Sequence, residues 1–163
     1  MRLVLLLMIL VPALLFGEED KSDDHNTLPP GYLAREQILD GLPLYHQRYV
    51  DYVPNPEALQ AIHDFSAPAE IRVIFGDWCK DSKKHVPAFL KVMELAGNEN
   101  LQVVYINVDR EKKEPAELLA GWNITSVPAF IVILDGKETG RIVETPRTSV
   151  EQDLADILVR PAH

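Results

Sequence analysis

Residues Phe75–Phe89 read FGDWCKDSKKHVPAF, and the reading of this stretch decides the fold. It holds the only cysteine of the chain, Cys79, directly after Trp78 and at the mouth of an expected helix. Upstream, EIRVIFG (70–76) is a short β-branched run of the kind that forms a buried strand. Downstream, Val86, Phe89, Leu90, Met93 and Ala96 or Leu95 recur at helical spacing, with Gly97 as the stop. A strand that turns straight into a helix at Cys79 sets the sulfur beside unpaired backbone N–H groups. The positive end of the helix dipole favours an anion there. A thiolate is the nucleophile of disulfide exchange, and such sites lower a cysteine pKa from ~8.5 to between about 3.5 and 7.5. Lys80, Lys83 and Lys84 add positive potential, opposed by Asp77 and Asp81.

Outward from this stretch the pattern alternates. LQVVYINVD (101–109) reads as a second strand, EPAELLAGW (114–122) as a short helix, AFIVILD (129–135) as a third strand and KETGRIVE (137–144) as a fourth. Asp135-Gly136 between the last two is a hairpin signal. SVEQDLADILV (149–159) closes as an amphipathic helix opened by Thr148 or Ser149, with Glu151 in place for a capping box from Thr148. The expected order is β-α-β-α-β-β-α. A helical crossover makes the first two strands parallel and right-handed. The class is α/β: one mixed sheet covered by helices on both faces.

The N-terminal third reads differently. MRLVLLLMILVPALLFG places one cation, Arg2, before an apolar run from Leu3 to Phe16. That run is shorter than the ~20 residues of a membrane span and fits the core of a signal peptide, residues 1–17. Leu15 is a poor match to the small residue expected two positions before a Gly17 cleavage point, so a retained anchor stays open, and membrane association with it. Residues 18–31, EEDKSDDHNTLPPG, form an acidic linker too poor in aliphatics to fold alone. His25 with Asp23 and Asp24 reads as a solvated tail. Residues 32–56 form a helical extension, broken at Gly41-Leu42-Pro43, with Tyr45, Tyr49 and Tyr52 on one face. The main domain then occupies 57–163. Export, to a periplasmic or extracellular space, implies oxidising surroundings. There a lone cysteine is expected as an intermolecular partner or a free reactive thiol.

Composition excludes several functions. A net charge of −9 offers nothing to displace counterions from a phosphate backbone, so no nucleic-acid partner is expected. One cysteine and five scattered histidines show no metal-ligand spacing. No glycine-rich phosphate loop appears, and no cofactor is implied. NIT (123–125) is a formal glycosylation sequon.

WCKDS (78–82) resembles the Trp-Cys-x-x-Cys motif of the thioredoxin superfamily, with serine in the last place. Pro87, five residues past Ser82, matches the helix-kinking proline of that family. NITSVPAF (123–130) resembles the segment that carries the family's cis-proline, which would be Pro128. The resemblance spans about residues 57–160 and implies a thioredoxin-like three-layer fold. The family's usual first strand is not evident before residue 57. The resemblance also implies that Val127 offers backbone groups to an extended substrate, that Trp78 shields one side of the sulfur, and that Lys80 and Asp81 tune it.

Two departures define the chemistry. Ser82 cannot resolve a mixed disulfide, although its hydroxyl can hydrogen-bond the Cys79 thiolate. The position where thioredoxins commonly bury an acid holds Val73. A dithiol cycle is therefore gone, and one-thiol exchange with protein or small-molecule thiols and disulfides remains. His85 is expected on the surface of its helix. Two rivals stand beside this reading: a redox-inactive protein-binding module, and a structural accessory working through its Tyr-rich helices.

Overall fold

The structure, a computed structural model, describes residues 27–159. Five strands form one mixed sheet: β1 (Gly31–Leu33), β2 (Ala69–Phe75), β3 (Leu101–Asn107), β4 (Ala129–Leu134) and β5 (Lys137–Val143), in the spatial order β1-β3-β2-β4-β5. The helices are α1 (Arg35–Gly41), α2 (Pro43–Asp51), α3 (Pro56–His63), α4 (Lys80–Ala96), α5 (Ala116–Leu119) and α6 (Val150–Leu158). The β2–β3 pair is parallel, as a helical crossover requires, and β4–β5 is an antiparallel hairpin. Asp135 and Gly136 both have positive φ, the conformation that a tight hairpin turn needs.

Side chains alternate across the sheet with the period of two that a strand imposes. Ile71, Val73 and Phe75 of β2 and Phe130 and Val132 of β4 point into the larger core with α4 and α6. Ile74, Ile106, Ala129, Ile131 and Ile133 point to the opposite face, where Leu118, Leu119 and Trp122 pack against them. The helical layers are unequal: one four-residue helix, α5, serves the second face. Phe89 of α4 meets Phe130 with ring centroids 5.1 Å apart, which locks the long helix onto the middle of the sheet.

The N-terminal part of the described chain differs from expectation. Tyr32 and Leu33 are not helical; they lie in the edge strand β1, antiparallel to β3, with Leu33 opposite Tyr105. Three residues carry too little alternation to announce a strand. Besides the pairing with β3, the chain just upstream is tied down: the Asn107 side chain donates to the Leu28 carbonyl at 2.8 Å, and the Leu28 N–H donates to the Asp77 carboxylate at 2.6 Å. The 18–31 segment thus has its last residues, from Leu28, tied to the sheet. The break at Gly41–Pro43 is present, with Leu42 between α1 and α2. Tyr45 and Tyr49 are buried in the larger core, and Tyr52 donates to Glu151 Oε2 at 2.7 Å.

Glu151 is itself a correction. The cap of α6 is Ser149, whose hydroxyl accepts from the Gln152 N–H, and no box from Thr148 forms. Glu151 is instead 2% exposed and receives the Tyr52 hydroxyl and the Asn55 N–H. Its carboxylate joins the N-terminal helices to α6. Leu95 is 48% exposed, whereas Val86, Phe89, Leu90 and Ala96 are buried as their spacing requires. The apolar run 3–16 lies outside the described residues. Among the described residues no helix is long and apolar enough to cross a membrane.

Candidate thiol site

The site lies beyond the carboxyl end of β2. Gly76 and Asp77 leave the strand, and α4 begins at Lys80 with Cys79 as its N-cap residue in an extended conformation. The cap geometry follows from two backbone bonds. The Cys79 N–H donates to the Gly76 carbonyl at 2.9 Å, and the Lys83 N–H donates to the Cys79 carbonyl at 2.9 Å. The sulfur therefore stands at the amino end of a 17-residue helix, where backbone N–H groups outnumber their partners. Pro87 sits inside this helix without ending it.

The second wall comes from a distant segment. Ile74 of β2 faces Ala129 of β4, so the residues just before β4 meet the strand end that carries the cysteine. The Val127–Pro128 peptide bond is cis. The half-buried Cys79 Sγ donates to the Val127 carbonyl at 3.2 Å, across 48 positions of sequence. The Pro128 carbonyl accepts the Glu144 N–H at 2.8 Å, which ties this turn to the end of β5. Trp78 and Cys79 both pack against the second core cluster, which includes Val127.

Trp78 is held at its edge and approached by two cations. Its Nε1–H donates to the Val108 carbonyl at 3.0 Å. The Arg110 guanidinium and Lys112 ammonium lie 5.6 and 6.0 Å from a Trp78 ring centroid, within the reach of cation–π attraction. Lys80 and Lys84 are exposed, and Asp81 is partly exposed.

Two residues stand differently from expectation. Ser82 is fully buried, and its Oγ accepts the Gly76 N–H at 3.3 Å, a bond to the motif's backbone rather than to the Cys79 sulfur. His85 is not on the surface. It is 9% exposed, and its Nε2 is buried with no hydrogen-bond partner among the described residues. Burial lowers its pKa from the usual imidazole value, the nearby Lys84 charge lowers it further, and Asp81 opposes both. The reason is packing on several sides: α2, α3 and α6 all contact α4, which leaves that helix little solvated face. Among the described residues, no three His, Cys, Asp or Glu side chains group as metal ligands.

Sequence reasoning passed over Asn107 and read Asp77 only as a charge opposing the lysines. Asp77 is 5% exposed and Asn107 1%. The Asp77 N–H donates to Asn107 Oδ1 at 3.1 Å, and Asn107 Nδ2 lies 3.5 Å from Asp77 Oδ2. Asp77 is therefore a buried clamp between the Leu28 N–H and Asn107 as well as a charge near the lysines. The available signal was Asn107 itself, a polar residue inside the apolar run LQVVYIN.

Residues 43–156 match the sequence profile of thioredoxin. The chain belongs to the thioredoxin family. It is 33% identical over 78 residues to a TPR repeat-containing thioredoxin of Arabidopsis thaliana, an alignment covering 48% of this chain and 19% of that protein. It is 31% identical over 77 residues to thioredoxin H2-1 of Oryza sativa subsp. japonica, covering 47% of this chain and 51% of the relative. The match thus spans at most about half the length of either. Among solved structures, a Pseudomonas aeruginosa protein of unknown function superposes with a TM-score of 0.50 at 18% identity, covering 77% of this chain and 83% of the other. An HIV epitope-scaffold superposes with a TM-score of 0.51 at 17% identity, covering 77% and 84%. At these identities the two structures speak for the fold alone.

Proposed function

We propose that this protein is a thiol-disulfide exchange protein of the thioredoxin family that works through a single cysteine. The observation that carries the proposal is the position of Cys79, at the amino end of α4 and in contact with the turn before β4. The reaction balances without a second protein thiol. The Cys79 thiolate attacks one sulfur of a disulfide R–S–S–R′, forming Cys79–S–S–R and releasing R′–S⁻. A thiolate R″–S⁻ from outside then attacks the R sulfur, forming R–S–S–R″ and returning Cys79 as thiolate. For the first step the S–H must give up its proton and its bond to the Val127 carbonyl. That carbonyl, together with Pro128 and Trp78, is the surface on which an extended substrate would lie. Partners are protein or small-molecule thiols and disulfides. Export belongs to the same proposal and rests on the apolar run 3–16 behind Arg2; amino-terminal sequencing of the mature protein tests it.

The test is alkylation of Cys79 across pH, followed by trapping of mixed disulfides. Labelling that is already fast at pH 6 and vanishes in Cys79→Ala supports the nucleophile. Labelling that rises only above pH 8, with no mixed disulfide trapped, overturns it. A second reading has one observation in its favour: the sulfur is half-buried and already engaged with Val127. In that reading the family scaffold binds a protein partner and Cys79 is a packing residue.

A further inference from the structure

We propose that Arg110 and Lys112 make the thiol site selective for acidic peptides, those in which carboxylates flank the disulfide-bonded cysteine. The inference rests on the one-thiol reading of Cys79. β2 and β3 run parallel and end together, with Phe75 opposite Asn107. The Val108 N–H donates to the Phe75 carbonyl at 2.8 Å, so the thiol loop and the loop after β3 leave the same end of the sheet side by side. Trp78 bridges the two, since its Nε1–H reaches the Val108 carbonyl. Arg110 and Lys112 lie over this indole, 5.6 and 6.0 Å from a ring centroid. Trp78 and Cys79 are consecutive, and both pack against the cluster that holds Val127. The two cations therefore stand on part of the surface on which an extended substrate would lie.

Charge in this loop is sorted by direction. DREKKE (109–114) is neutral as written, three acids against three bases. Asp109 Oδ1 accepts the Lys113 N–H at 2.7 Å and the Glu114 N–H at 2.9 Å, and Glu114 Oε2 accepts the Ala116 N–H at 3.2 Å. The Glu111 side chain turns to Asp109. The carboxylates thus serve the loop itself, while Arg110 and Lys112 reach over Trp78. Among the described residues neither cation forms an ion pair, and nor do the exposed Lys80 and Lys84. Against them stand Asp81, the one acid in the first turn of α4, and the buried Asp77. The whole chain carries −9, but exposed charges act over only about 8 Å at physiological salt, so these unpaired cations decide what approaches. An extended peptide advances ~3.3 Å per residue. A carboxylate two or three positions from its cysteine can therefore settle on the cations over Trp78 while its sulfur meets Cys79. The reaction is the exchange already written; the cations change its rate and not its balance.

The probes are two peptides of one length, each with its cysteine as the 2-pyridyl disulfide, flanked by glutamates in one and lysines in the other. The Cys79 thiolate bonds to the peptide sulfur and releases pyridine-2-thiolate, which is followed by absorbance. At pH 9 a cysteine of ordinary pKa, ~8.5, is largely thiolate and lysine keeps its charge, so the ratio of the two rates needs no activated thiol. With the full chain in low salt, the acidic peptide should react at least about tenfold faster than the basic one, and under about threefold faster in about 0.5 M salt. Arg110→Gln should lower the low-salt ratio about threefold, and Arg110→Gln with Lys112→Gln about fivefold or more. The ratio cancels any change in the reactivity of Cys79 itself. Lys137→Gln removes a cation at the opposite end of the sheet and should leave the ratio nearly unchanged. An unmodified ratio under about twofold, a double variant that lowers it less than about twofold, or a Lys137→Gln effect as large as that of Arg110→Gln would each overturn the assignment. Failure of the one-thiol reading looks different: at pH 6 the unmodified protein exchanges no faster than a free cysteine peptide, while the ratios at pH 9 still decide the role of the two cations.

Discussion

Asn107→Asp replaces an amide by a carboxylate of nearly the same shape in the clamp beneath the thiol loop. Asn107 Nδ2 lies 3.5 Å from Asp77 Oδ2, and both residues are at least nine-tenths buried. Two unit charges at that separation repel by about 5 kcal/mol at an effective dielectric of about 20. The variant escapes part of this by holding one proton on the carboxylate pair. Raising one carboxyl from ~3.9 to about 7 costs about 4 kcal/mol at neutral pH, which caps the penalty near that figure. The Nδ2–H bond to the Leu28 carbonyl is also lost, and an orphaned buried acceptor costs ~1–3 kcal/mol at any pH. The folded variant binds more protons than its unfolded chain between about pH 4 and 7, so its stability falls as pH rises through that window. Urea unfolding should show a loss of about 5–7 kcal/mol at pH 7.5, shrinking to roughly 2.5–4.5 kcal/mol at pH 5. The double variant Asp77→Asn with Asn107→Asp restores a single charge and should recover more than half of the loss at pH 7.5. A loss that is the same at both pH values, or a double variant no better than the single one, refutes the buried contact on which the calculation stands.

Glu151→Ala removes the acceptor of both the Tyr52 hydroxyl and the Asn55 N–H; urea unfolding should register a loss of about 2–4 kcal/mol. Combined with Tyr52→Phe, the two losses should add to less than their sum, and full additivity would deny the contact. His85 has a lowered pKa in the fold, so as pH falls below about 6.5 the unfolded chain takes up the proton first and stability drops. His85→Gln should flatten the stability slope between about pH 7 and 5, and parallel slopes would refute the burial argument. Ser82→Cys supplies a second thiol in the first turn of α4; oxidation should then remove two free thiols per chain in a thiol titration. Retention of both thiols under oxidant would show that the two positions cannot meet.

The sheet was legible because three of its four long strands are largely apolar runs with sharp ends, and the fourth, KETGRIV, follows a turn. Asp135-Gly136 announced the hairpin through turn chemistry that few other residues satisfy. β1 was not legible, since Gly31–Leu33 is too short to show a pattern and lies against β3 just after Leu28, which Asp77 and Asn107 tie down. Glu151 misled because a capping box and a buried carboxylate look alike in sequence; its true partners lie 96 and 99 positions away. His85 misled for a related reason. Angular position on a helix distinguishes solvent from core when one face is packed, and α4 is packed by three other helices. At the site, the residue types announced a thiol and its proline neighbour. The cations over Trp78 were silent, because Arg110 and Lys112 meet the indole only where β2 and β3 end together.

The Leu28–Asp77 bond fixes where the polypeptide enters the fold. Leu28 is fastened two positions before Cys79, so residue 27 emerges at the rim of the reactive end and not at the far edge of the sheet. The start of the described chain and the loop that carries the cysteine are thus coupled through one buried carboxylate, and a change at Asp77 would loosen both.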